Sequence, residues 1–568
     1  MISNLDWAVL LGTLAFIVGY GAWKTSGNRN IDGYFLADQN MRWWTIGLSI
    51  MATQASAITF LSAPGQAYTD GMRFVQFYFG LPIAMVILSV TVVPIYHRLK
   101  VYTAYEYLEG RFDLRTRVLA AFLFLTQRGL AAGFTIFAPS LILSALLGWN
   151  IYYTNLIIGA LVIIYTVSGG TKAVALTQKY QMGVIFTGMA LAGIMVVVLL
   201  PDNVSFGDAL HVAGKSGKLN AIDFSFDLNN RYTIWSGLIG GMFLALSYFG
   251  TDQSQVARYL TGKSVSQSRL GLLFNGLVKI PMQFAILFIG AMVYVFYIFY
   301  TPPIFFNKVV DDSMRASEYQ EQYEALEIEY NSSYDIQREK AYHLIDAIKS
   351  KDEASIDDAR TSLQNAQEVA DNKKNEVKDL ILEANPLADN NDTNFIFLTF
   401  VLNHLPKGLI GLIIAVIFSA SMSSTSSELN ALASTSVVDV YKRLFNKTGT
   451  DTHYLNASKW FTVAWGCYAI VFAMFANRLG TLIEAVNILG SLVYGTILGI
   501  FLVAFYFKSI GAKHTFAAAV ISECIILFCY FFTEIPYLWY NVIGSISVIL
   551  IALLIKMTLG SEVQKSNE

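Results

Sequence analysis

The chain has 568 residues, of which 55% are hydrophobic and 14% are charged. A soluble globular domain carries about 25% charged residues, so the composition excludes that class and indicates a polytopic membrane protein. The formal net charge of -2 gives no indication of a nucleic-acid partner. The sequence contains no zinc pattern, P-loop or dinucleotide fingerprint, and its three cysteines, Cys467, Cys524 and Cys529, lie in apolar segments and do not suggest disulfides.

Stretches of about 20 apolar residues mark membrane-spanning helices. We predict about thirteen of them, near 5–24, 44–67, 74–97, 117–147, 151–168, 180–200, 233–257, 270–300, 407–440, 457–477, 480–507, 514–533 and 537–556. The first is long enough to span a membrane and has no basic region before it, so we interpret it as a helix rather than a cleavable signal peptide.

Lysine and arginine are concentrated in alternate short loops, for example at Arg98 and Lys100, at Arg258 and Lys263, and near Lys508. The positive-inside rule places these loops in the cytoplasm. The prediction is a multi-pass protein of the cell (inner or plasma) membrane, in contact with membrane lipid, with its N-terminus outside and its C-terminus in the cytoplasm.

One polar insertion, residues 301–393, interrupts the apolar pattern on the outer side. It is rich in charged residues, has no proline or glycine from Asp311 to Ala384, and shows helical spacing of apolar side chains. We predict two long antiparallel helices that turn near Lys351 and Asp352. Two interpretations stay open: a solvated coiled coil, or a docking site within 311–385 for a protein partner outside the cell.

The stretch from Ser419 to Tyr441 continues an apolar run but is unusually rich in hydroxyl groups. Single serines in membrane helices commonly serve close helix packing. Seven hydroxyls with almost no interruption favour oxygen ligands for a hard cation such as Na⁺, offered without a full negative charge in lipid. These residues are Ser419, Ser421, Ser423, Ser424, Thr425, Ser426 and Ser427.

The predicted span 44–67 also contains small and polar residues, from Ala52 to Gly65. This composition predicts a helix that breaks within the membrane. A break frees backbone carbonyls for an ion, and irregular backbone at that depth is tolerated only beside a cavity.

Five motifs together resemble the sodium/solute symporter (SSS) family, which includes sodium/sugar and sodium/sialic acid symporters. They are GYFLADQNMRWW at 33–44, TAYEYLEGRF at 103–112, IIYTVSGGTKAV at 163–174, YFGTDQSQVARYL at 248–260 and SASMSSTSSELN at 419–430. The resemblance covers essentially all of the chain except the insertion.

The resemblance implies an all-α membrane protein with the LeuT-type core of two inverted five-helix repeats. The first repeat would be 44–200, and the second would be 233–300 together with 394–507. An extra transmembrane helix within 1–32 would precede the core, and two C-terminal helices with a cytoplasmic tail, 508–568, would follow it.

The same resemblance implies a sodium site made of two carbonyls in the first core helix and a carbonyl plus two hydroxyls in the eighth. By alignment the site residues are Ala52, Ala55, Ala420, Ser423 and Ser424. Several family members have a further sodium site that relies on an aspartate in the fifth core helix. Here Gln178 stands in the aligned pair with Thr177, so we expect one sodium ion per cycle.

For the solute, the resemblance places the binding residues at Gln54, Ser56, Thr59, Tyr78, Tyr248, Lys279 and Asn487. Three positions depart from the sugar pattern. Tyr78 replaces a glutamate, Asn487 replaces a longer glutamine, and Ala245 replaces an asparagine or threonine. A hydrophobic ring face with fewer hydrogen-bond partners indicates a polyol-like or other modestly polar solute, and it does not single out glucose or galactose.

The sialic acid branch also resembles this chain at Ser56 to Phe60. That branch binds the substrate carboxylate with an arginine in the third core helix, where this chain has Ala131. Arg128 lies one turn earlier on roughly the same face. It is a candidate anion clamp, and the alternative is an ion pair between Arg128 and a loop carboxylate.

We therefore expect a sodium-coupled symporter that imports a small polar organic solute, most simply a sugar or sugar-like compound, by alternating access. One alternative is a symporter of a carboxylated solute such as sialic acid or another organic anion. A transporter-like solute sensor is a further alternative, against which the short tail after Lys556 argues. An enzyme is not expected, because we predict no nucleophile, metal cluster or paired carboxylates together in the membrane region.

Overall fold

The computed structural model describes residues 3–25, 39–227, 229–386, 388–476 and 481–559, and these ranges contain helices but no β-strand. The helices are α1 Asn4–Thr25, α2 Trp43–Gln54, α3 Ala57–Asp70, α4 Leu81–Val90, α5 Val92–Leu99, α6 Glu106–Arg111, α7 Leu114–Leu147, α8 Ile151–Val198, α9 Phe206–Lys215, α10 Gly241–Gly250, α11 Gln253–Leu260, α12 Val265–Phe299, α13 Lys308–Arg315, α14 Gln320–Ser350, α15 Glu353–Ala384, α16 Thr393–His404, α17 Leu409–Thr435, α18 Asp451–Ala473, α19 Leu482–Tyr506, α20 Ala512–Phe532 and α21 Tyr537–Leu559. The first six residues of the 33–44 motif and the tail from 560 lie outside the described residues.

The described part of the chain contains eight helical stretches long and apolar enough to cross a membrane, and the bent pair α2 and α3 makes a ninth. Three shorter apolar helices, at Asn4–Tyr20, Ile151–Val167 and Ser236–Gly250, coincide with further predicted spans. The prediction of a multi-pass, all-α membrane protein is confirmed. The count of thirteen spans and the orientation of the termini stay predictions.

The predicted break in the first core helix separates α2 from α3, which are bent by 61°. The Ser56 N–H donates to the carbonyl of Gln54 at 3.1 Å instead of reaching Ala52. The Thr59 N–H donates to the carbonyl of Ser56 at 3.0 Å instead of reaching Ala55. Because a regular helix pairs each carbonyl with the N–H four residues later, the carbonyls of Ala52 and Ala55 lose their usual partners.

The predicted span 233–257 is also broken. A π-helical turn at Ser236–Gly240 leads into α10, and α11 begins only after Thr251 and Asp252. The Asp252 carboxylate caps α11, since it accepts a hydrogen bond from the Ser254 N–H at 2.8 Å. This cap places a charged side chain at the point where the backbone leaves the helix.

Two predicted spans, 151–168 and 180–200, fall in the single 48-residue helix α8. The Tyr165 hydroxyl lies 2.7 Å from Thr177 Oγ1. In a straight helix twelve residues rise about 18 Å, which is beyond the reach of these side chains. The two arms of α8 therefore fold back toward each other, in agreement with two predicted spans.

The insertion forms the predicted pair of long helices, α14 and α15. Lys351 ends α14 in the left-handed conformation with φ 61°. Asp352 caps α15, because its carboxylate accepts from the Ser355 N–H at 3.2 Å. The turn thus lies at the two residues that the sequence indicated.

The insertion does not stand free in solvent, as a simple coiled coil would. The Tyr294 hydroxyl of α12 donates to Gln367 Oε1 at 2.8 Å, and the ring centres of Phe299 in α12 and Tyr342 in α14 are 5.1 Å apart. One face of the helical pair is therefore covered by the membrane-spanning part of the chain. A protein partner at 311–385 stays a prediction, and only the remaining exposed face is free to bind one.

Candidate functional site

The hydroxyl-rich part of α17 lies against the break between α2 and α3. The hydroxyl of Ser423 donates to the carbonyl oxygen of Ala52 at 3.1 Å, and that of Ser424 donates to the same oxygen at 3.3 Å. Ala55 and Ala420 are fully buried. The fold thus brings two hydroxyls to a freed carbonyl that is 371 and 372 positions away in the chain.

Other hydroxyls of α17 face α7 instead. Ser421 donates to the carbonyl of Thr135 at 2.8 Å, and Thr425 donates to the Thr135 hydroxyl at 3.1 Å. The hydroxyls of Ser426 and Ser427 bond the carbonyl of Ser423 in their own helix, at 3.1 and 2.9 Å. These hydroxyls serve helix packing, as single serines commonly do.

The oxygen atoms at the break suit a sodium ion. The Ala52 carbonyl has lost its helical partner and accepts from the hydroxyls of Ser423 and Ser424. The carbonyls of Ala55 and Ala420 stay predicted ligands. Hard cations prefer such oxygen ligands, and these groups carry no formal charge that would be costly to bury in a membrane.

The sequence indicated only that Gln178 replaces an aspartate of several family members, and in the structure its side chain joins three helices. Its Nε2 donates to Ser423 at 2.9 Å, to Thr53 at 3.1 Å and to Ser427 at 3.1 Å. Its Oε1 accepts from the Ser49 hydroxyl. The amide therefore presents N–H groups to these hydroxyls, at the position where other family members place an aspartate.

A cavity of about 100 Å³ lies beside this site. Its wall includes seven of the predicted residues: Gln54, Ser56, Thr59, Tyr78, Arg128, Tyr248 and Asn487. Lys279 is not among the wall residues. It is fully buried in α12, its Nζ has no hydrogen-bond partner among the described residues, and it lies 5.5 Å from the centre of the Tyr78 ring.

Arg128 is held by two buried carboxylates at the cavity wall. Its Nη1 donates to Glu428 Oε1 at 3.1 Å, and its Nη2 donates to Asp252 and to the Tyr494 hydroxyl. Tyr494 in turn donates to Asp252 at 2.8 Å, and Thr135 donates to Glu428 Oε2 at 2.8 Å. We call Arg128, Asp252 and Glu428 the charged triad.

The triad corrects two expectations. Arg128 pairs with carboxylates at the break after α10 and within α17, and neither of them is in a loop between spans. Paired carboxylates do lie together in the membrane region, contrary to the sequence prediction. A signal was present, because Asp252 and Glu428 are acidic residues within the predicted membrane spans 233–257 and 407–440, and such residues are by default functional candidates.

The comparison with protein families decides the relationship. The model of the sodium:solute symporter family matches residues 34–320 and 382–522. The chain belongs to this family.

Relatives of this symporter carry different solutes. It is 32% identical to the human sodium/iodide cotransporter over 51% of the chain and 45% of that relative, so it spans less than half of that protein. It is 26% identical to the human sodium-coupled monocarboxylate transporter 1 over 89% of the chain and 70% of the relative. It is 25% identical to the sodium/sialic acid symporter NanT of Aliivibrio fischeri over 97% of the chain and 93% of the relative.

The fold of this symporter matches that of a Na⁺-coupled sialic acid symporter solved in a substrate-bound, outward-open state. The TM-score is 0.74 at 23% identity, and the match covers 99% of both chains. This likeness confirms the expected symporter fold. All the relatives named above are transporters, and none is named as an enzyme.

Proposed function

We propose that the chain is a sodium-coupled symporter that imports a small, polar, uncharged solute of the sugar or polyol type by alternating access. The observation that carries the proposal is the contact between α17 and the broken helix. There, two hydroxyls point at a carbonyl that no backbone N–H occupies. The match to the family model supports it.

In this proposal Ala52, Ala55, Ala420, Ser423 and Ser424 hold one sodium ion, which supplies a positive charge between α2 and α17. These residues belong to two helices, so a bound ion stabilises the arrangement in which the helices are in contact. Coupling to the solute requires that both bind the same conformation better, with an interaction energy of about 1–3 kcal/mol.

The hydrogen bonds that Arg128 already makes favour an uncharged solute. Both of its terminal nitrogens already donate to carboxylates of the triad. A solute carboxylate that binds these terminal nitrogens would have to displace Asp252 or Glu428, which would leave a buried charge without its partner. The walls formed by Tyr78 and Tyr248 offer flat apolar surfaces to a ring, with polar groups from Gln54, Ser56 and Thr59.

A carboxylated solute is the second candidate. It is favoured by Arg128 Nε, which is buried and has no partner among the described residues, and by the solutes named for the relatives. In this case the Nε would donate to a solute oxygen while the two terminal nitrogens keep their carboxylates.

Uptake by proteoliposomes with an imposed sodium gradient tests both candidates. Radiolabelled glucose, myo-inositol, sialic acid and lactate would be compared for wild type and Arg128→Ala. We expect sodium-driven accumulation of a neutral solute by the wild type. Accumulation of a carboxylated solute that Arg128→Ala abolishes would favour the second candidate, and no sodium-driven uptake of any member would count against both.

A further inference from the structure

We propose that Glu428 links sodium binding to solute selection. The charged triad has one excess negative charge, and a sodium ion held one helical turn away neutralises it. The loaded cavity then accepts electrically neutral solutes and rejects anions. This inference rests on the proposed sodium symport. It adds Glu428 as a specificity-determining residue, and Glu428 is not among the sodium ligands or solute contacts predicted from the sequence.

The charge count comes from the contacts of the triad. One guanidinium, Arg128, faces two carboxylates, Asp252 and Glu428, and all three side chains are at most 6% exposed. Among the described residues that line the cavity, Arg128 and Glu428 are the only ones with a formally charged side chain, and Asp252, which pairs with Arg128, is not a wall residue. Lys279, which lies beside Tyr78, is not a wall residue and forms no ion pair with either carboxylate.

Both carboxylates are bonded as acceptors. Glu428 accepts from Arg128 through one oxygen and from Thr135 through the other. Asp252 accepts from Ser254 through Oδ1 and from Arg128 and Tyr494 through Oδ2. An ionised carboxylate is an acceptor only, so this bonding matches two anions around one cation. An isolated excess charge in such a place is costly unless another charge compensates it.

The proposed sodium site, whose positive charge would compensate the excess negative charge of the triad, lies on the same helix as Glu428. Glu428 follows Ser424 by four residues in α17, and side chains four apart are neighbours on one helix face, with about 5–6 Å between their Cβ atoms. At an effective dielectric constant of about 20, one unit charge at a distance of about 6–10 Å changes the affinity for a cation roughly 10- to 100-fold.

The cavity also offers hydrogen-bond acceptors that a donor-bearing solute can satisfy. Gln54 Oε1 and Gln127 Oε1 are buried wall atoms without a partner among the described residues. Solute hydroxyl or N–H groups would satisfy them, whereas a carboxylate would bring further acceptors and a negative charge that the bound sodium ion no longer compensates. Charge and hydrogen bonding therefore favour the same class, a neutral solute rich in donors.

Sodium binding to the purified full chain, with no solute present, tests the proposal. The readouts are ²²Na⁺ binding and the sodium-dependent rise in melting temperature, which follows binding by mass action. Glu428→Gln keeps the shape and removes the charge, and we expect sodium affinity to fall roughly 10- to 100-fold. Glu428→Asp, which keeps the charge, should restore most of it.

Thr135→Val is the matched control. It removes the hydrogen bond to Glu428 but no charge, so sodium affinity should stay close to that of the wild type. Asp252→Asn removes the same unit of charge and leaves Glu428 in place. Asp252→Asn should also lower sodium affinity. It provides the same measurement if Glu428→Gln does not fold.

A second experiment measures how strongly anionic solutes are rejected. Sialic acid and lactate should compete with sodium-driven solute uptake at least 10-fold more effectively in Glu428→Gln than in the wild type. A wild type that binds sodium, together with neutralised variants that bind it equally well, would overturn the role of Glu428 and leave the symporter proposal standing. A wild type that binds no sodium would overturn the symporter proposal itself.

Discussion

The Ser423 hydroxyl donates to the Ala52 carbonyl at 3.1 Å, and this hydrogen bond joins α17 to the end of α2, where the helix breaks. It exists because two local events coincide. The break at Ala55 leaves the Ala52 carbonyl without its N–H partner, and the hydroxyl-rich face of α17 packs against that break. Neither helix forms the site by itself.

Ser424→Ala should lower sodium affinity roughly 10- to 100-fold, since a single polar contact to a charged group contributes about 1.5–3 kcal/mol. The fold should persist, because the Ser424 hydroxyl makes one long hydrogen bond of 3.3 Å. Sodium titration of the melting temperature measures the effect. Ser426→Ala is the control, since that hydroxyl bonds only its own helix, and unchanged sodium affinity in Ser424→Ala would remove Ser424 from the site.

Gln178→Glu should create a second cation site. The substitution replaces an amide that donates to Ser423, Thr53 and Ser427 with a carboxylate of nearly the same shape. The three hydroxyls can then turn their oxygen atoms toward a cation shared with the new charge. The measurement is the ratio of ²²Na⁺ to solute transported per cycle, which we expect to rise from about one to about two. A ratio that stays at one would contradict this assignment of Gln178.

Arg128→Met should destabilise the protein by about 3–5 kcal/mol, because it leaves Asp252 and Glu428 buried without their cation. Thermal unfolding in detergent measures the loss. Adding Asp252→Asn and Glu428→Gln to this variant removes the stranded charges, so the triple variant should recover much of the stability. A triple variant as unstable as Arg128→Met would show that packing, rather than charge, determines the cost.

Asp389→Asn should stabilise the insertion at neutral and alkaline pH. Burial raises the pKa of Asp389 to about 7 from its ordinary value of 3.8, partly offset by the hydrogen bond from the Asn391 N–H. Between about pH 4 and pH 7 the folded state therefore binds more protons than the unfolded state, and stability falls as the pH rises through that window.

Asparagine keeps the acceptor for Asn391 and has no charge to bury. The melting temperature of Asp389→Asn should equal that of the wild type near pH 4 and exceed it by about 1–2 °C at pH 8. The comparison needs only purified protein at a series of pH values. A difference that does not change with pH would show that the buried carboxylate is not its cause.

Several features followed from local sequence. Small and polar residues inside an apolar span indicated the break at Ala55, and the hydroxyl run in α17 indicated its polar face. The absence of proline and glycine between Asp311 and Ala384 indicated two long helices, and the structure turns them at Lys351. These features depend on local composition and on backbone hydrogen bonds between residues close in sequence. The sequence alone is therefore enough to predict them.

The charged triad and the role of Gln178 depended on tertiary structure. Arg128 meets residues 124 and 300 positions away in the chain, and Gln178 meets Ser423 at a separation of 245. A single sequence shows that Asp252 and Glu428 are acidic residues in predicted membrane spans, but helix rotation and packing decide which neighbours they face. The sequence by itself thus determined the membrane class and the oxygen atoms suited to sodium. The packing of α7, α11 and α17 determined the charge of the cavity, because that charge is set by which side chains face one another.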